Sequence, residues 1–356
     1  MSILDVQALI LAAGRAKRFK TNTSKLIQKL CGREMILYIT KALSKLNIET
    51  TAIVGYQKEA VMDAIRREHG ESIPCITQDH QEGTGHAVLC SKNTWHKDLI
   101  LILNGDMPLI TPEIINQIYE QHISTRATLT LAVAHDTDPT GSYGRIIQTG
   151  NKLAIVEAKE FTGNIQEHPY INAGIYLVQR EFLENAITKL NRNPINNEFY
   201  LTDIVKMASD ADKIITTVAV PFDYVRGINN FKELWNAEHI LRSELIKRWM
   251  LEGVRFMLPQ SNHLDYSVTI GSGSIIHAGV QLFGDTHIGH NCHIHSFSII
   301  SNTTLEDNVT ILSHTVIDKS IITSSSSVGP LAHIQGKTAT GGYVAVDDKK
   351  QQRTVQ

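Results

Sequence analysis

A chain of 356 residues is long enough for two or three domains and a sizeable buried core, which rules out a small single-module binder. Its 42% hydrophobic and 20% charged residues exclude a disordered, collagenous or coiled-coil chain. Thirty-four basic residues against 36 acidic ones leave a net charge of -2, so nucleic acid is not an expected partner, while a local basic site for a small phosphorylated ligand stays open.

The longest apolar run near the start, Val6 to Ala13, contains Gln7 and follows no basic segment. It is too short for a secretory signal or a membrane span, so the expected location is cytoplasmic. Val6 to Ala12 reads as a continuous apolar strand. Cys31, Cys75, Cys90 and Cys292 are scattered without a CxxC pair, which argues against a zinc site and a disulfide framework. Met35 to Leu46 sets Ile36, Ile39, Leu43 and Leu46 at three- and four-residue spacing, the buried stripe of a helix. Thr51 to Val54 is a second short strand. Leu99 to Leu103 is apolar at every position, the pattern of a parallel-sheet strand covered by helices on both faces, and it stops at Asn104-Gly105-Asp106. Thr111-Pro112 supplies an N-cap hydroxyl and a proline at the first position of a helix carrying Ile114, Ile115 and Ile118. Residues 1–228 thus form an α/β domain.

Residues 229–252 read as a connecting helix, capped by Asn230, with Phe231, Leu234, Trp235, Leu241, Leu245 and Trp249 at helical spacing and Gly253 placed to end it. In 253–340, Ile270, Ile276, Leu282, Ile288, Ile294 and Ile300 recur every six residues; the phase then slips by one and continues at Leu305, Ile311 and Ile317. A hexapeptide repeat predicts a parallel β-helix, in which each strand and turn buries one aliphatic. Trimerisation through the flat faces of such a solenoid gives a closed C3 homotrimer as the expected assembly. Seven of the 16 histidines (His277, His287, His290, His293, His295, His314 and His333) fall in this region and are read as outward-facing turn residues rather than metal ligands. Residues 341–356 lose the repeat and read as a polar tail.

The motifs that carry chemistry lie in the first domain. Leu11-Ala12-Ala13-Gly14, followed by Arg18 and Lys25, ends the first strand in small residues whose backbone can close on a phosphate chain, with two cations to neutralise it. It is neither GxGxxG nor GxxxxGK[ST], so the usual dinucleotide and P-loop readings fail. Asp106, just past a buried strand, stands where open α/β sheets place ligands, and its hard oxygen suits Mg²⁺ on a nucleotide. Gln78 and Gly83-Thr84-Gly85-His86 form a second loop, in which an amide can read a base edge and glycines allow close backbone approach.

These segments, together with Tyr143-Gly144-Arg145-Ile146, Val156-Glu157, Ile171-Asn172-Ala173-Gly174, Tyr200-Leu201-Thr202-Asp203-Ile204 and Gly227-Ile228-Asn229-Asn230, occur in an order that closely resembles the GlmU family of N-acetylglucosamine-1-phosphate uridyltransferases. The match covers residues 6 to about 252 and continues more loosely through the hexapeptide region. The resemblance implies a doubly wound nucleotidyltransferase (GT-A-like) domain followed by a left-handed parallel β-helix. It implies an Mg²⁺-dependent enzyme making UDP-N-acetylglucosamine and pyrophosphate from UTP and N-acetylglucosamine 1-phosphate. Leu11, Ala12, Ala13, Gly14 and Lys25 are implied to hold the UTP phosphates, Gln78, Gly83 and Thr84 the uracil, and Asn104, Gly105 and Asp106 the ribose-phosphate side. Gly144, Glu157, Asn172 and Asn229 are implied on the sugar side, and Asp106 and Asn229 as Mg²⁺ ligands. Because two polyanions must be brought together, Arg18 and Lys25 are read as the catalytic cations that neutralise them.

Three positions depart from the family pattern: Ala16-Lys17 replaces Gly-Thr, Asn104 replaces a common tyrosine, and Ser142 is inserted. In the β-helix, Ile334-Gln335-Gly336 stands where the family has an arginine-proline segment, and acetyl transfer is expected to be lost. Other readings are a different base or hexosamine, a decayed scaffold, or a hexapeptide acyltransferase.

Overall fold

The computed structural model describes residues 5–15, 19, 23–136, 143–339 and 342–344. Arg18, Ala16-Lys17, Ser142 and most of the 341–356 segment lie outside them. The chain divides into two units, one comprising Met1–Gln28 and Glu34–Leu234, the other Lys29–Arg33 and Trp235–Gln356.

The first unit is built on a nine-stranded sheet. Strand β1 (Val6–Ala12) pairs in parallel with β4 (Glu49–Val54) on one edge and β6 (Leu99–Asn104) on the other, and β4 carries β5 (Cys75–Thr77). The short strands β2 (Lys29–Leu30) and β3 (Arg33–Glu34) pair with each other. Beyond β6 the sheet reverses. Strand β10 (Tyr170–Gln179) runs antiparallel to both β6 and β7 (Leu129–His135), β11 (Ile215–Ala219) joins β7 in parallel, and the hairpin β8 (Arg145–Thr149) with β9 (Lys152–Val156) hangs from β10. The sheet is therefore mixed, where the apolar run of Leu99 to Leu103 suggested a parallel one. Apolarity at every position reports two covered faces, which β6 has, and is silent about the direction of its neighbours. With β4 and β6 on opposite sides of β1, the loops leaving β1 and β6 diverge and open a crevice at their carboxyl ends.

Helix α1 (Ile36–Lys45) buries Ile36, Ile39 and Leu43 as its spacing predicts, while α2 (Lys58–His69) and α3 (Thr84–Cys90) follow β4 and β5. Helix α4 (Pro112–Thr125) has its proline in the first turn, but the Thr111 side chain makes no bond to the helix backbone. Its hydroxyl bonds the Glu113 carboxylate instead and holds that carboxyl below its usual range, so the expected cap hydroxyl serves a side chain. Helices α5 (Arg180–Ile187) and α6 (Asp203–Asp210) add Leu183, Ile204 and Val205 to the core, and the short α7 (Phe222–Val225) leads into the loop at 226–230.

On α4, His122 is buried against β7; its Nδ1 meets Thr130 Oγ1 at 2.8 Å and its Nε2 has no partner among the described residues. Burial pushes this imidazole down from 6.5 to about 4. The unfolded chain takes up the proton near 6.5 and the folded chain near 4, so the contribution is complete above pH 6.5 and lost as pH falls toward 4, a difference of roughly 3 kcal/mol. Stability measured by urea unfolding should fall across that window, and His122→Asn should flatten the fall; an identical pH dependence in the variant would refute the assignment.

Helix α8 (Phe231–Leu251) opens with a capping box: Glu233 N–H donates to Asn230 Oδ1 (2.9 Å) and Asn229 N–H donates to Glu233 Oε2 (2.6 Å). It closes where Gly253 and Val254 donate to the carbonyls of Met250 and Trp249. Leu241 and Leu245 are buried, but Phe231 and Trp235 are 52% and 63% exposed, so the buried stripe is narrower than the helical spacing predicts. Leu234 takes the inward position between them, and Trp235 stacks on His239 one turn on.

The rest of the second unit is a parallel β-helix of three sheets of two- and three-residue strands. Every aliphatic of the hexapeptide series from Ile270 to Ile317 is buried in one core, stacked in three ladders, one per sheet. Leu264 pairs with Leu282 and Leu282 with Ile300, eighteen residues per coil; Ile288 pairs with Leu305 and Ile294 with Ile311, seventeen. The one-residue slip is thus one short corner between Ile300 and Leu305. Tyr343–Val344 adds a strand past 340. His287, His293 and His333 sit on strands rather than in turns, facing outward, and His277 and His295 are half-buried and stacked with ring centroids 4.7 Å apart. Strands this short leave the residue before each buried aliphatic inside the strand, where the repeat alone suggested a turn.

Candidate active site

Two adjoining cavities, about 630 and about 350 Å³, open at the carboxyl ends of β1 and β6 and share Leu11, Thr84, Asn104, Asp106 and Glu157. Ala12, Ala13 and Gly14 continue from β1 into the larger one. Tyr56 N–H donates to the Ala13 carbonyl (3.2 Å), which anchors the turn, and the Arg15 guanidinium lies over the Tyr56 ring, 5.2 Å from its centroid.

Lys25 is carried on a single 3₁₀ turn, Lys25–Ile27, capped by Ser24. Its ammonium is ion-paired with Asp106 and donates to Asn229 Oδ1 at 3.3 Å. The two side chains of the ion pair are only 14% and 17% exposed, so little water screens them. Asn229 is aimed by its own loop: its Nδ2 donates to the Gly227 carbonyl (3.2 Å), which turns the amide oxygen toward Lys25. Gly227 is held in turn by Tyr143, whose hydroxyl accepts from Gly227 N–H at 3.0 Å. Burial pushes the Tyr143 phenol upward, so it stays protonated.

On the far wall, Gln78 is 3% exposed and donates through Nε2 to the Gly83 carbonyl at 3.1 Å. Gly83 has φ +103, and a Cβ there would stand 2.4 Å from the Phe199 carbonyl oxygen, so only glycine fits where this loop crosses the 198–201 segment. Leu201 N–H donates to Thr84 Oγ1 (3.0 Å) and Phe199 N–H to the Glu82 carbonyl (2.7 Å), which ties the two segments together.

The smaller cavity is assembled by strand pairing. Because Arg145 pairs with Val156, Gly144 and Glu157 lie side by side just beyond the hairpin, and a Cβ on Gly144 would press to 2.9 Å from Ile155. Strand β10 shifts register between Asn172 and Tyr176, and this irregularity carries Asn172 to the cavity. Asn172 Nδ2 donates to the Tyr176 hydroxyl (2.6 Å) and its Oδ1 accepts from Gly174 N–H (3.0 Å). Burial pushes the Glu157 carboxyl up from its usual range, opposed by the Thr202 hydroxyl that donates to its Oε1 at 2.9 Å.

Leu11, Ala12, Ala13, Gly14, Lys25, Gln78, Gly83, Thr84, Asn104, Asp106, Gly144, Glu157, Asn172 and Asn229 all line one or both cavities. Gly105 does not. Its N–H donates to the Leu11 carbonyl (2.9 Å), and a Cβ there would stand 3.1 Å from Ile36, so it serves the close β1–β6 contact. Arg15, Gln81, Tyr143, Tyr176, Tyr200 and Thr202 also line the cavities, although sequence reasoning gave them no role. The signal for Arg15 was its place directly after Gly14; the others lay within or beside the motif segments, where nothing distinguished them from packing residues.

The fit of a divalent cation can be judged from Lys25. Asp106 and Asn229 direct oxygens at one shared positive charge, and hard oxygen donors few in number suit Mg²⁺, which takes one or two carboxylates and fills its shell with phosphate and water. Among the described residues no group of three or more His, Cys, Asp or Glu could hold a metal ion.

A mixed sheet with a cation-bearing crevice at its switch point, followed by a hexapeptide solenoid, defines a nucleotidyltransferase of the GlmU type. The family described as MobA-like NTP transferase domain matches residues 8–180, and that described as GMPPB C-terminal domain matches 263–353. Bifunctional protein GlmU of Clostridium botulinum (strain ATCC 19397 / Type A) is 34% identical over 348 residues, covering 96% of this chain and 75% of the relative. That of Clostridioides difficile (strain 630) is 35% identical over 350 residues, 97% of this chain and 75% of the relative, and that of Geotalea uraniireducens (strain Rf4) 34% over 349 residues, 96% and 76%. The chain belongs to the GlmU family.

Proposed function

We propose that the chain transfers a uridylyl group from UTP to N-acetylglucosamine 1-phosphate, releasing pyrophosphate. The observation that carries this reading is the Lys25 ammonium set between Asp106 and Asn229, where the two cavities adjoin. Bound Mg²⁺, held by Asp106 and Asn229, would neutralise the nucleotide phosphates. The phosphate of a sugar 1-phosphate has its second pKa near 6, so at neutral pH its oxygen is already an anionic nucleophile and no general base is needed. That oxygen bonds to the α-phosphorus as the α–β bridging bond breaks, and the pair of electrons leaves with pyrophosphate. The work left to the protein is to hold the two anions in line and to neutralise them. Lys25, released from its ion pair by the incoming nucleotide, does so together with Arg15 and Arg18, while Leu11 to Gly14 close on the phosphates, Gln78, Gly83 and Thr84 seat the uracil, and Asn104 flanks the ribose.

Glu157 and Asn172 supply an acceptor and a donor-acceptor pair for the sugar hydroxyl and acetamido groups, and Gly144 gives them room. Glu157→Ala should therefore abolish calorimetric binding of N-acetylglucosamine 1-phosphate while UTP binding with Mg²⁺ survives; equal loss of both would count against the assignment. We place the reaction in the cytoplasm, in a homotrimer joined through the β-helix. Ile334-Gln335-Gly336 in place of the family's arginine-proline segment supports assigning this chain uridylyl transfer without acetyl transfer.

A further inference from the structure

Gln78 can present either end of its amide to a base, and the sequence does not say which. In the structure the nitrogen end is fixed twice, by the Gly83 carbonyl at 3.1 Å and by Nδ1 of His86 at 3.1 Å. A carbonyl can only accept, so the end facing Gly83 is the NH₂ group, and its second hydrogen falls to His86. That requires Nδ1 to carry a lone pair and the ring proton to sit on Nε2, which faces the Cys90 sulfur at 3.7 Å. The same Nδ1 is 3.0 Å from the His80 carbonyl, an acceptor that the ring can serve only if the proton moves to Nδ1, away from Gln78. In the tautomer with the ring proton on Nε2, both N–H groups of Gln78 are engaged, and its Oε1 is the polar group left for a ligand in the cavity that Gln78 lines.

We infer that His86 is a positioning residue for base selection: its Nδ1 lone pair locks the Gln78 amide with the oxygen toward the ligand, so that the site favours a pyrimidine whose ring N3 carries a hydrogen over one whose N3 is an acceptor. This rests on the uridyltransferase reading above and extends it from which residue meets the base to what fixes its polarity. Uracil donates from N3 and cytosine accepts there, so the ratio of UTP to CTP affinity reads the amide orientation.

The experiment measures UTP and CTP binding with Mg²⁺ by calorimetry on the full chain. His86→Ala should lower the UTP/CTP preference about five- to tenfold, the scale of one net hydrogen bond. His86→Asn, whose Oδ1 can stand in for the Nδ1 acceptor, should restore most of it. In a Gln78→Ala background, removing His86 should leave the ratio unchanged, which a merely structural loss would not reproduce. A wild-type preference that survives in His86→Ala, or that falls equally in His86→Asn, overturns the role of His86 alone. A wild type that binds UTP and CTP equally overturns this inference, whereas a wild type that prefers UTP but catalyses no transfer leaves His86 standing and refutes the proposed reaction.

Discussion

Asp106→Ala should lose at least about 1,000-fold in turnover while its thermal melt stays close to that of the wild type. The asymmetry follows from the geometry. The Asp106 side chain is bound to Lys25 at the cavity wall, and its backbone carbonyl, which accepts from Ile228 N–H at 2.9 Å, is untouched by the substitution. The fold therefore keeps its loop while the site loses its one carboxylate facing the shared cation. Steady-state pyrophosphate release alongside circular dichroism checks both halves, and near-wild-type activity would refute a phosphate-neutralising role for this carboxylate.

Lys25→Ala is expected to lower kcat by about 100-fold, the scale of one preorganised charge lost from a transition state. Its partners sharpen the expectation. Lys25 lies beside the oxygens of Asp106 and Asn229 that would hold Mg²⁺, so its removal takes a second positive charge from the point where the two anionic substrates meet. Titrating UTP and sugar phosphate separately divides the loss: a rise in KM with kcat unchanged would mean that Lys25 binds ground and transition states alike.

The motif segments of the first unit were legible because each is a local solution to a local demand. Small residues after β1 and glycines in the 83–86 loop announce close backbone approach, and a carboxylate after β6 stands where open α/β sheets place ligands. The hexapeptide series was legible for the same reason, including the slip at Leu305, since each strand and turn buries one aliphatic; a second one-residue slip, between Ile317 and Ile322, lies beyond the series read from the sequence. What the sequence withheld was relational. Nothing in Leu99 to Leu103 says that the neighbour on one edge is antiparallel, and nothing in Asp106, Asn229 or Lys25 taken singly says that all three share one charge. Gly105 shows the same limit: a glycine beside an aspartate serves equally for ligand approach and for packing, and its contacts with Leu11 and Ile36 are visible only in the fold. Arg15 was passed over because a basic residue after a glycine is ordinary until Tyr56 is seen beneath it.

The most direct test of nucleotidyl transfer is the rate of pyrophosphate release with Mg²⁺ for each of the four nucleoside triphosphates paired with each of several hexosamine 1-phosphates. Release should be fastest with UTP and N-acetylglucosamine 1-phosphate, should require both substrates, and should be matched mole for mole by UDP-N-acetylglucosamine. Release from no pair, or release from UTP that is indifferent to the sugar phosphate, would contradict it.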